Sequence, residues 1–385
     1  MAYSPQVRVT DHNQMIRQSS KEGTKAKLLA AMCVATLCVI LVLGLWPFHA
    51  PRNEVTWSKN SNGLQFGDYG TVLSTSEFKS VAPQDGTSRS IEIWIRPRSS
   101  HGGGTLLAFH AAKIPFQFLL HQSLADLKLD CTILGVRNQT TSAGFYVSGV
   151  FRHVKLVFIT ITSGTRGTEV YADGTLITSA PHFRPLGGDF GGRLVVGDSP
   201  GQGNGWAGHL RGLAIYDSEL TPQQVVQNYQ SWTRMGQPAL AANENCIALY
   251  LFDERSGRVV HNRVNSETDL HIPEKYAVLD QLLLEPFWKE FNSSWGYWTG
   301  ALKNVVGFVP LGFFFYAYLS YSIRRAALVT VILGGAVSLT IEILQAYLPT
   351  RDSGMTDLIT NTLGAYIGVQ SYRTISPRLA RYLTA

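Results

Sequence analysis

Three apolar stretches near the C-terminus carry polar residues at helical spacing. Asn304 and Pro310 lie in the first, Glu342 and Gln345 in the second, Asp357 and Asn361 in the third. A carboxylate in hydrocarbon costs about 2.5–3.5 kcal/mol on insertion scales, so such residues usually face a bundle interior and often mark function. Asn304 and Phe308 are four apart, as are Asp357 and Asn361, while Glu342 and Gln345 are three apart, so each pair shares one helix face. Gly364 and Gly368 continue the Asp357 face, and small residues there allow close helix contact. Pro310, with Gly312 just after it, removes a backbone hydrogen bond and can kink its helix. Arg351 and Asp352 occupy the loop between the second and third stretches. These side chains suit a polar pocket for a headgroup or small polar ligand, with Arg351 available to pair Glu342 or Asp357. They equally suit a purely structural lock between helices, although such bonds average only about 0.6 kcal/mol, a weak motive for burying so many. Asp357 also fits a helix cap. Glu342 is the first candidate for function.

The elements that must position these residues are membrane helices. Charged residues make up 16% of the 385-residue chain, against about 25% in soluble domains. The net charge of +6 is gathered beside apolar runs: Arg17, Lys21, Lys25 and Lys27, then Arg324 and Arg325, then Arg373, Arg378 and Arg381. This is the positive-inside pattern of a membrane protein, not a nucleic-acid footprint. Residues 28–48 form an apolar run about long enough for ~30 Å of hydrocarbon. Phe48 and Pro51 do not suit a signal-peptidase site, so the run reads as an uncleaved anchor.

Four spans place every basic cluster on one side: residues 28–48, 301–321, 326–348 and 357–372. The domain reading is then a cytoplasmic segment 1–27, a first span 28–48, an extracytoplasmic region, helices two to four within 301–372, and a cytoplasmic tail 373–385. Residues 236–300 read as a connector. Its latter part carries Tyr276, Phe287, Trp288, Phe291, Trp295, Tyr297 and Trp298, residue types that favour the headgroup layer. Under this topology the polar residues of the three C-terminal spans meet near the outer leaflet. Cys33 and Cys38 lie in the first span. Cys131 and Cys246 lie in the large polar region, where an oxidising compartment would allow them to pair, and their spacing suits no zinc site.

Between the first and second spans the pattern is short strands and Gly-rich turns. Residues 90–96 alternate polar and apolar around Ile91, Ile93 and Ile95. Residues 169–177 read as a hairpin whose Asp173-Gly174 supplies a tight turn. Thr221-Pro222-Gln223-Gln224 opens a short helix with a capping box. Residues 248–257 read as a strand and turn, either an outlying strand of the same fold or part of the connector. The overall pattern is an all-β sandwich. Asn62-Gly63-Leu64-Gln65-Phe66, Ile91-Glu92-Ile93-Trp94-Ile95, Val170-Tyr171-Ala172-Asp173-Gly174 and the closing run 208–216 resemble a laminin-G-like, concanavalin A-type jelly roll over residues 55–235. That resemblance implies binding of glycans or proteins, with Ca2+ in some members and polysaccharide hydrolysis in a subset.

Glycoside hydrolysis needs two carboxylates flanking the scissile bond. Glu92 and Asp130 stand isolated and Asp173 serves a turn, so no catalytic residue is assigned here. Asp68, Asp198 and Asn204 are weak candidates for Ca2+ ligands, and their spacing equally suits ordinary loop residues. Asn138-Gln139-Thr140 and Asn292-Ser293-Ser294 match glycosylation sequons. No phosphate-binding Walker loop or dinucleotide fingerprint is present.

The ordered set Asn304, Phe308, Pro310, Gly312, Glu342, Gln345, Arg351, Asp357, Asn361 and Gly364 resembles the VanZ-like family, known from teicoplanin resistance. Residues 28–48 look like that family's first helix, with the β-domain inserted before the second. The combined expectation is a multi-domain membrane protein: an all-β jelly-roll sandwich plus an α-helical bundle of about four transmembrane helices. It would be a bacterial inner-membrane envelope protein, non-enzymatic, with the sandwich binding a glycan or surface polymer and the helices holding a headgroup. Two alternatives stand beside it. One is a membrane enzyme using Glu342 and Asp357 on a lipid-linked sugar or peptidoglycan precursor. The other is an assembly factor with envelope protein partners in polysaccharide export.

Overall fold

The computed structural model describes residues 6–79, 88–111, 117–134, 140–185, 187–201, 204–237, 245–281 and 283–383. The sequon at residues 138–140 falls mostly outside them. The chain divides into two compact units, one of residues 50–281 and one of the two flanking segments.

The central unit holds β1 (Val55–Trp57), β2 (Leu64–Phe66), β3 (Val72–Phe78), β4 (Arg89–Pro97), β5 (Gly103–His110), β6 (Phe118–Ser123), β7 (Asp126–Leu134) and β8 (Thr140–Val147). It continues with β9 (Val157–Gly164), β10 (Gly167–Ala172), β11 (Thr175–Ala180), β12 (Gly192–Val196), β13 (Gly208–Tyr216), β14 (Cys246–Tyr250), β15 (Val259–Val260) and β16 (Leu270–His271). Sheet one has the order β1-β2-β13-β4-β9-β10-β11, with β14 also paired to β13. Sheet two has the order β15-β16-β3-β12-β5-β6-β7-β8. The period-two alternation of β4 points Ile91, Ile93 and Ile95 into the core between the sheets, where they meet residues such as Leu107, Phe109, Leu120 and Leu129 of sheet two. The β10–β11 hairpin turns at Asp173 (φ 50°) and Gly174 (φ 77°), the two positive φ angles that a two-residue turn of this twist demands.

A helix, preceded by Thr221 and running over Pro222–Met235, covers part of the outer face of sheet one. Its start is a capping box: Thr221 Oγ1 accepts the Gln224 N–H and the Gln224 side chain accepts the Thr221 N–H. Trp232 lies on Gly212, where any Cβ would collide with the indole ring. Trp232, Val225 and Tyr216 form a second core there with Phe158 and Leu249. Truncating a buried indole of this kind costs about 3–5 kcal/mol.

The sandwich extends beyond residue 235. Residues 246–271 supply β14, β15 and β16, so the strand at 248–257 is an outlying strand of the sandwich, the first of the two readings its sequence allows, and the connector begins later than residue 236. The reason is burial on both faces: Ala248 and Tyr250 enter the main core while Leu249 packs under the helix. Tyr276, expected at a membrane interface, is buried in this unit and donates its hydroxyl to Asp198. Cys131 and Cys246 are not joined by a disulfide: Cys131 sits in the main core and Cys246 under the helix.

The flanking unit holds helices. In chain order over the whole molecule, α1 is Gln6–Leu45, α2 the sandwich helix just described, α3 Phe287–Glu290, α4 Trp295–Leu319, α5 Ala326–Gln345 and α6 Met355–Leu383. Ile40 of α1, Phe308 and Leu311 of α4, Ile341 of α5 and Ala365 of α6 form one small core. Among the described residues three helices are long and apolar enough to cross a membrane: Gly23–Leu45, Trp295–Leu319 and Ala326–Gln345. The expected fourth span is helical, but α6 is not among the three, because Asp357, Asn361 and several threonines dilute its apolar character. It also runs on through most of the segment expected as a tail. The first helix ends at Leu45, short of the expected 48, just before Trp46 and Pro47.

The four helices meet closely through glycine. A Cβ on Gly312 would strike the Ala365 carbonyl, and one on Gly364 or Gly368 would strike the Val305 or Val309 carbonyl. Backbones of α4 and α6 therefore touch directly. Phe287, Trp288, Phe291, Trp295 and Trp298 are exposed around α3 and the start of α4.

Candidate functional site

The polar residues singled out in the helical unit gather around the first turn of α6. That turn presents backbone N–H groups with no partner inside the helix. Glu342 of α5 and Glu290 of α3 supply acceptors: Glu342 Oε2 takes the Gly354 N–H and Glu290 Oε2 the Thr356 N–H, both at 2.9 Å. The Glu285 carbonyl takes the Met355 N–H at 2.9 Å. Carboxylates placed here are favoured by the positive end of the helix dipole. Asp357, in the same turn, accepts from Asn304 Nδ2 of α4 at 2.7 Å. Glu342 is only 1% exposed.

Two further residues tie the bundle to α1. Gln345 Nε2 donates to the Gly44 carbonyl at 2.8 Å. Arg351, offered by the sequence as a partner for Glu342 or Asp357, is directed to the end of α1, where its Nε donates to the Trp46 carbonyl at 3.1 Å. Asn361 Nδ2 donates to Ser338 Oγ at 3.0 Å, one turn along α6 from Asp357. Gln345 Oε1 and Asn361 Oδ1 are buried with no hydrogen-bond partner, on residues 8% and 6% exposed. Phe308 and Gly312 serve packing, and Pro310 lies inside α4. In the loops outside the helices, burial first and Glu290 second push the carboxyls of Glu285 and Asp352 above the usual range.

Sequence reasoning missed Glu290 and Ser338. Ser338 had a readable signal, because Thr330, Gly334, Ser338 and Glu342 recur every four residues along the buried face of α5. Glu290 had none, since only the fold brings α3 to the start of α6.

In the sandwich, Asp198 Oδ1 accepts the N–H groups of Ser199 (2.7 Å) and Asn204 (2.9 Å), and Oδ2 accepts from Tyr276. Burial raises its carboxyl to about 6 against those three donors. Asp68 pairs with Arg98. Among the described residues no three His, Cys, Asp or Glu side chains are grouped to hold a metal ion. Glu92 and Asp130 stand on different sheets. Asp130 pairs with Lys128 at 2.8 Å. Glu92, fully buried, accepts from Tyr216 Oη (2.7 Å), Asn228 Nδ2 (2.8 Å) and Trp232 Nε1 (3.0 Å), which pins α2 to the sheet.

The uncovered end of the same face of sheet one is open. Gln65, His209 and Arg96 stand opposite one another across β2, β13 and β4. Arg211 is the extra residue of a bulge in β13, between the pairs Leu210↔Ile95 and Gly212↔Trp94. Its guanidinium carbon lies 4.6 Å from the Trp94 ring centroid. With Lys59 these residues border a cleft of about 510 Å³, next to a second of about 230 Å³ that shares Gln65, Arg96 and His209. The alternation Glu92-Trp94-Arg96 already aimed Arg96 at this face; the bulge that redirects Arg211 left no mark in the sequence.

The chain carries a concanavalin A-like lectin/glucanase domain, matched over residues 63–226, and a VanZ/LLP1 domain, matched over residues 246–376. The second match begins in β14 and leaves α1 outside it. No curated protein matches the chain. Among solved structures it is similar to a mutant of HCR/D (15% identity, 48% of each chain, TM-score 0.33), of which it therefore spans about half. It is also similar to a native heptameric SAP-like pentraxin from Limulus polyphemus (14% identity, 60% of this chain and 96% of that one, TM-score 0.36). A third is a proposed carbohydrate-binding protein from Bacteroides ovatus (11% identity, 60% and 62%, TM-score 0.36).

Proposed function

We propose that this VanZ-like membrane protein is a bacterial envelope receptor of the inner membrane. Its lectin-type sandwich, on the extracytoplasmic side, binds a glycan or surface polymer. Its helices anchor the sandwich and hold a polar group, such as a lipid headgroup, near the outer leaflet at the start of α6. The observation that carries the reading is the open cleft on sheet one, a polar concavity of about 510 Å³ beside the end that α2 seals. Gln345 Oε1 and Asn361 Oδ1, buried acceptors without donors, support the headgroup part, since such groups are normally satisfied.

Binding is better supported than catalysis. Glu342 and Asp357 already accept bonds that hold the start of α6 and the α4–α6 contact. The test is binding of the full chain, held in lipid nanodiscs, to a panel of bacterial envelope polymers with and without Ca2+. Capture of one polymer class supports the receptor reading. A folded protein that captures none overturns it.

A further inference from the structure

Lys59, Arg96, Arg211 and His209 border the sheet-one cleft, and no Asp or Glu lines it or its neighbour. Among the described residues no carboxylate forms an ion pair with Lys59, Arg96 or Arg211, whereas Arg89, Arg98, Arg166, Arg258 and Arg263 each have one. The arrangement works against itself. Arg96 and His209 are direct cross-strand partners, so protonating His209 would set two like charges opposite each other. The bulge then adds Arg211 to the same face, with its Nε buried and without a hydrogen-bond partner. Burial first, then the charge of Arg96, lowers the proton affinity of both His209 and Arg211. Bulges often re-aim a side chain at a site. Here one aims a guanidinium into an array that an anion would relieve.

The rest of the lining says what carries the anion. Trp57, Asn60, Ser61 and Gln65 add an indole, two amides and a hydroxyl. That combination suits a ring with hydroxyl groups, and the volume far exceeds what one small anion fills. We propose that the ligand is an acidic polysaccharide, its phosphate or carboxylate groups held by Arg96 and Arg211 with Lys59 at the mouth. The proposal rests on the receptor reading and narrows its ligand to one chemical class. Guanidinium forks recognise phosphate and carboxylate alike, so the structure names their shared negative charge and paired acceptor oxygens.

The experiment uses the full chain in neutral-lipid nanodiscs and three polymers: a teichoic acid for phosphodiesters, alginate for carboxylates and dextran for neutral glycan. Expected is binding to one or both acidic polymers, with none to dextran, weakened at least tenfold in Arg96→Gln/Arg211→Gln and by raised salt. Lys59→Gln, on an exposed loop, should weaken it less and keeps the test valid if the double variant misfolds. The preferred acidic polymer identifies the charged group. Dextran bound as tightly as the acidic polymers, or binding indifferent to all three substitutions in folded protein, overturns the acidic-ligand proposal and leaves the receptor reading intact. No binding to any of the three, or to the wider envelope panel, overturns both.

Discussion

Glu342 on α5 accepts the backbone N–H of Gly354, the residue just before α6, at 2.9 Å. The most conspicuous carboxylate in the apolar part of the sequence thus has a structural duty. It sets where the last helix begins, and Asp357 and Asn361 take their positions from that start. A catalytic acid and a helix cap predict different outcomes when the proton-donating ability is removed and the acceptor kept.

Glu342→Gln should therefore retain the thermal stability of the helical unit within about 1 kcal/mol, because the amide oxygen can still accept the Gly354 N–H. Glu342→Ala should cost about 1–3 kcal/mol, the penalty for orphaning a buried donor. Calorimetry of the full chain in detergent measures both. Equal destabilisation by the two variants would mean that the charge, not the hydrogen bond, matters.

The α4–α6 contact makes a sharper demand. A Cβ on Gly364 would meet the Val305 carbonyl and lie 3.0 Å from Phe308 Cβ. Gly364→Val should lower stability by about 1–3 kcal/mol through overpacking and push the helices apart. Gly307, where a Cβ would meet nothing within 4 Å, should accept Ala with little loss. Cysteine crosslinking between α4 and α6 in membranes reports the separation. Undiminished crosslinking in Gly364→Val would contradict the close approach.

Local rules were legible where the partner is near in sequence. Ile91, Ile93 and Ile95 announced the core face of β4, Asp173-Gly174 the β10–β11 hairpin, and Thr221 with Gln224 a capping box, and all three take those roles. Partnerships across long stretches of chain were not legible. Glu92 looks like a solvent-facing strand residue until α2 arrives with Asn228 and Trp232 to bury it. Tyr276 looks interfacial until it meets Asp198, 78 residues earlier. In the helices, spacing told which face each polar residue shares, but not that Arg351 would reach the Trp46 carbonyl.

Asp198 accepts the backbone N–H groups of Ser199 and Asn204 on one oxygen and the Tyr276 hydroxyl on the other. Asp198→Ala should destabilise the sandwich by about 2–4 kcal/mol, since it orphans buried donors. Asp198→Asn keeps the accepting oxygen and should cost less. Ca2+ should leave the melting temperature of the native chain unchanged, because these oxygens are already engaged. A rise with Ca2+ that Asp198→Asn abolishes would instead make Asp198 a metal ligand.

Glu92 gives the sandwich a pH dependence of definite sign. Burial raises its carboxyl from 4.5 to about 7, opposed by the donors Tyr216, Asn228 and Trp232. The folded state therefore holds this proton more tightly than the unfolded chain. The resulting stabilisation is fully present below about pH 4.5 and is lost as pH rises through about 7. Asp198, raised from 3.8 to about 6, acts in the same direction over a slightly lower window. At about 1.4 kcal/mol per tenfold change in proton affinity, the Glu92 contribution is bounded by roughly 3 kcal/mol. The sandwich transition of the full chain should therefore melt higher at pH 5 than at pH 8, by a margin that shrinks in Glu92→Gln. An amide keeps an acceptor for the Trp232 indole and does not titrate, so the variant should lose slope more than stability. If Glu92→Gln retains the full slope between pH 5 and 8, the proton resides elsewhere and Glu92 is held as a carboxylate by its three donors alone.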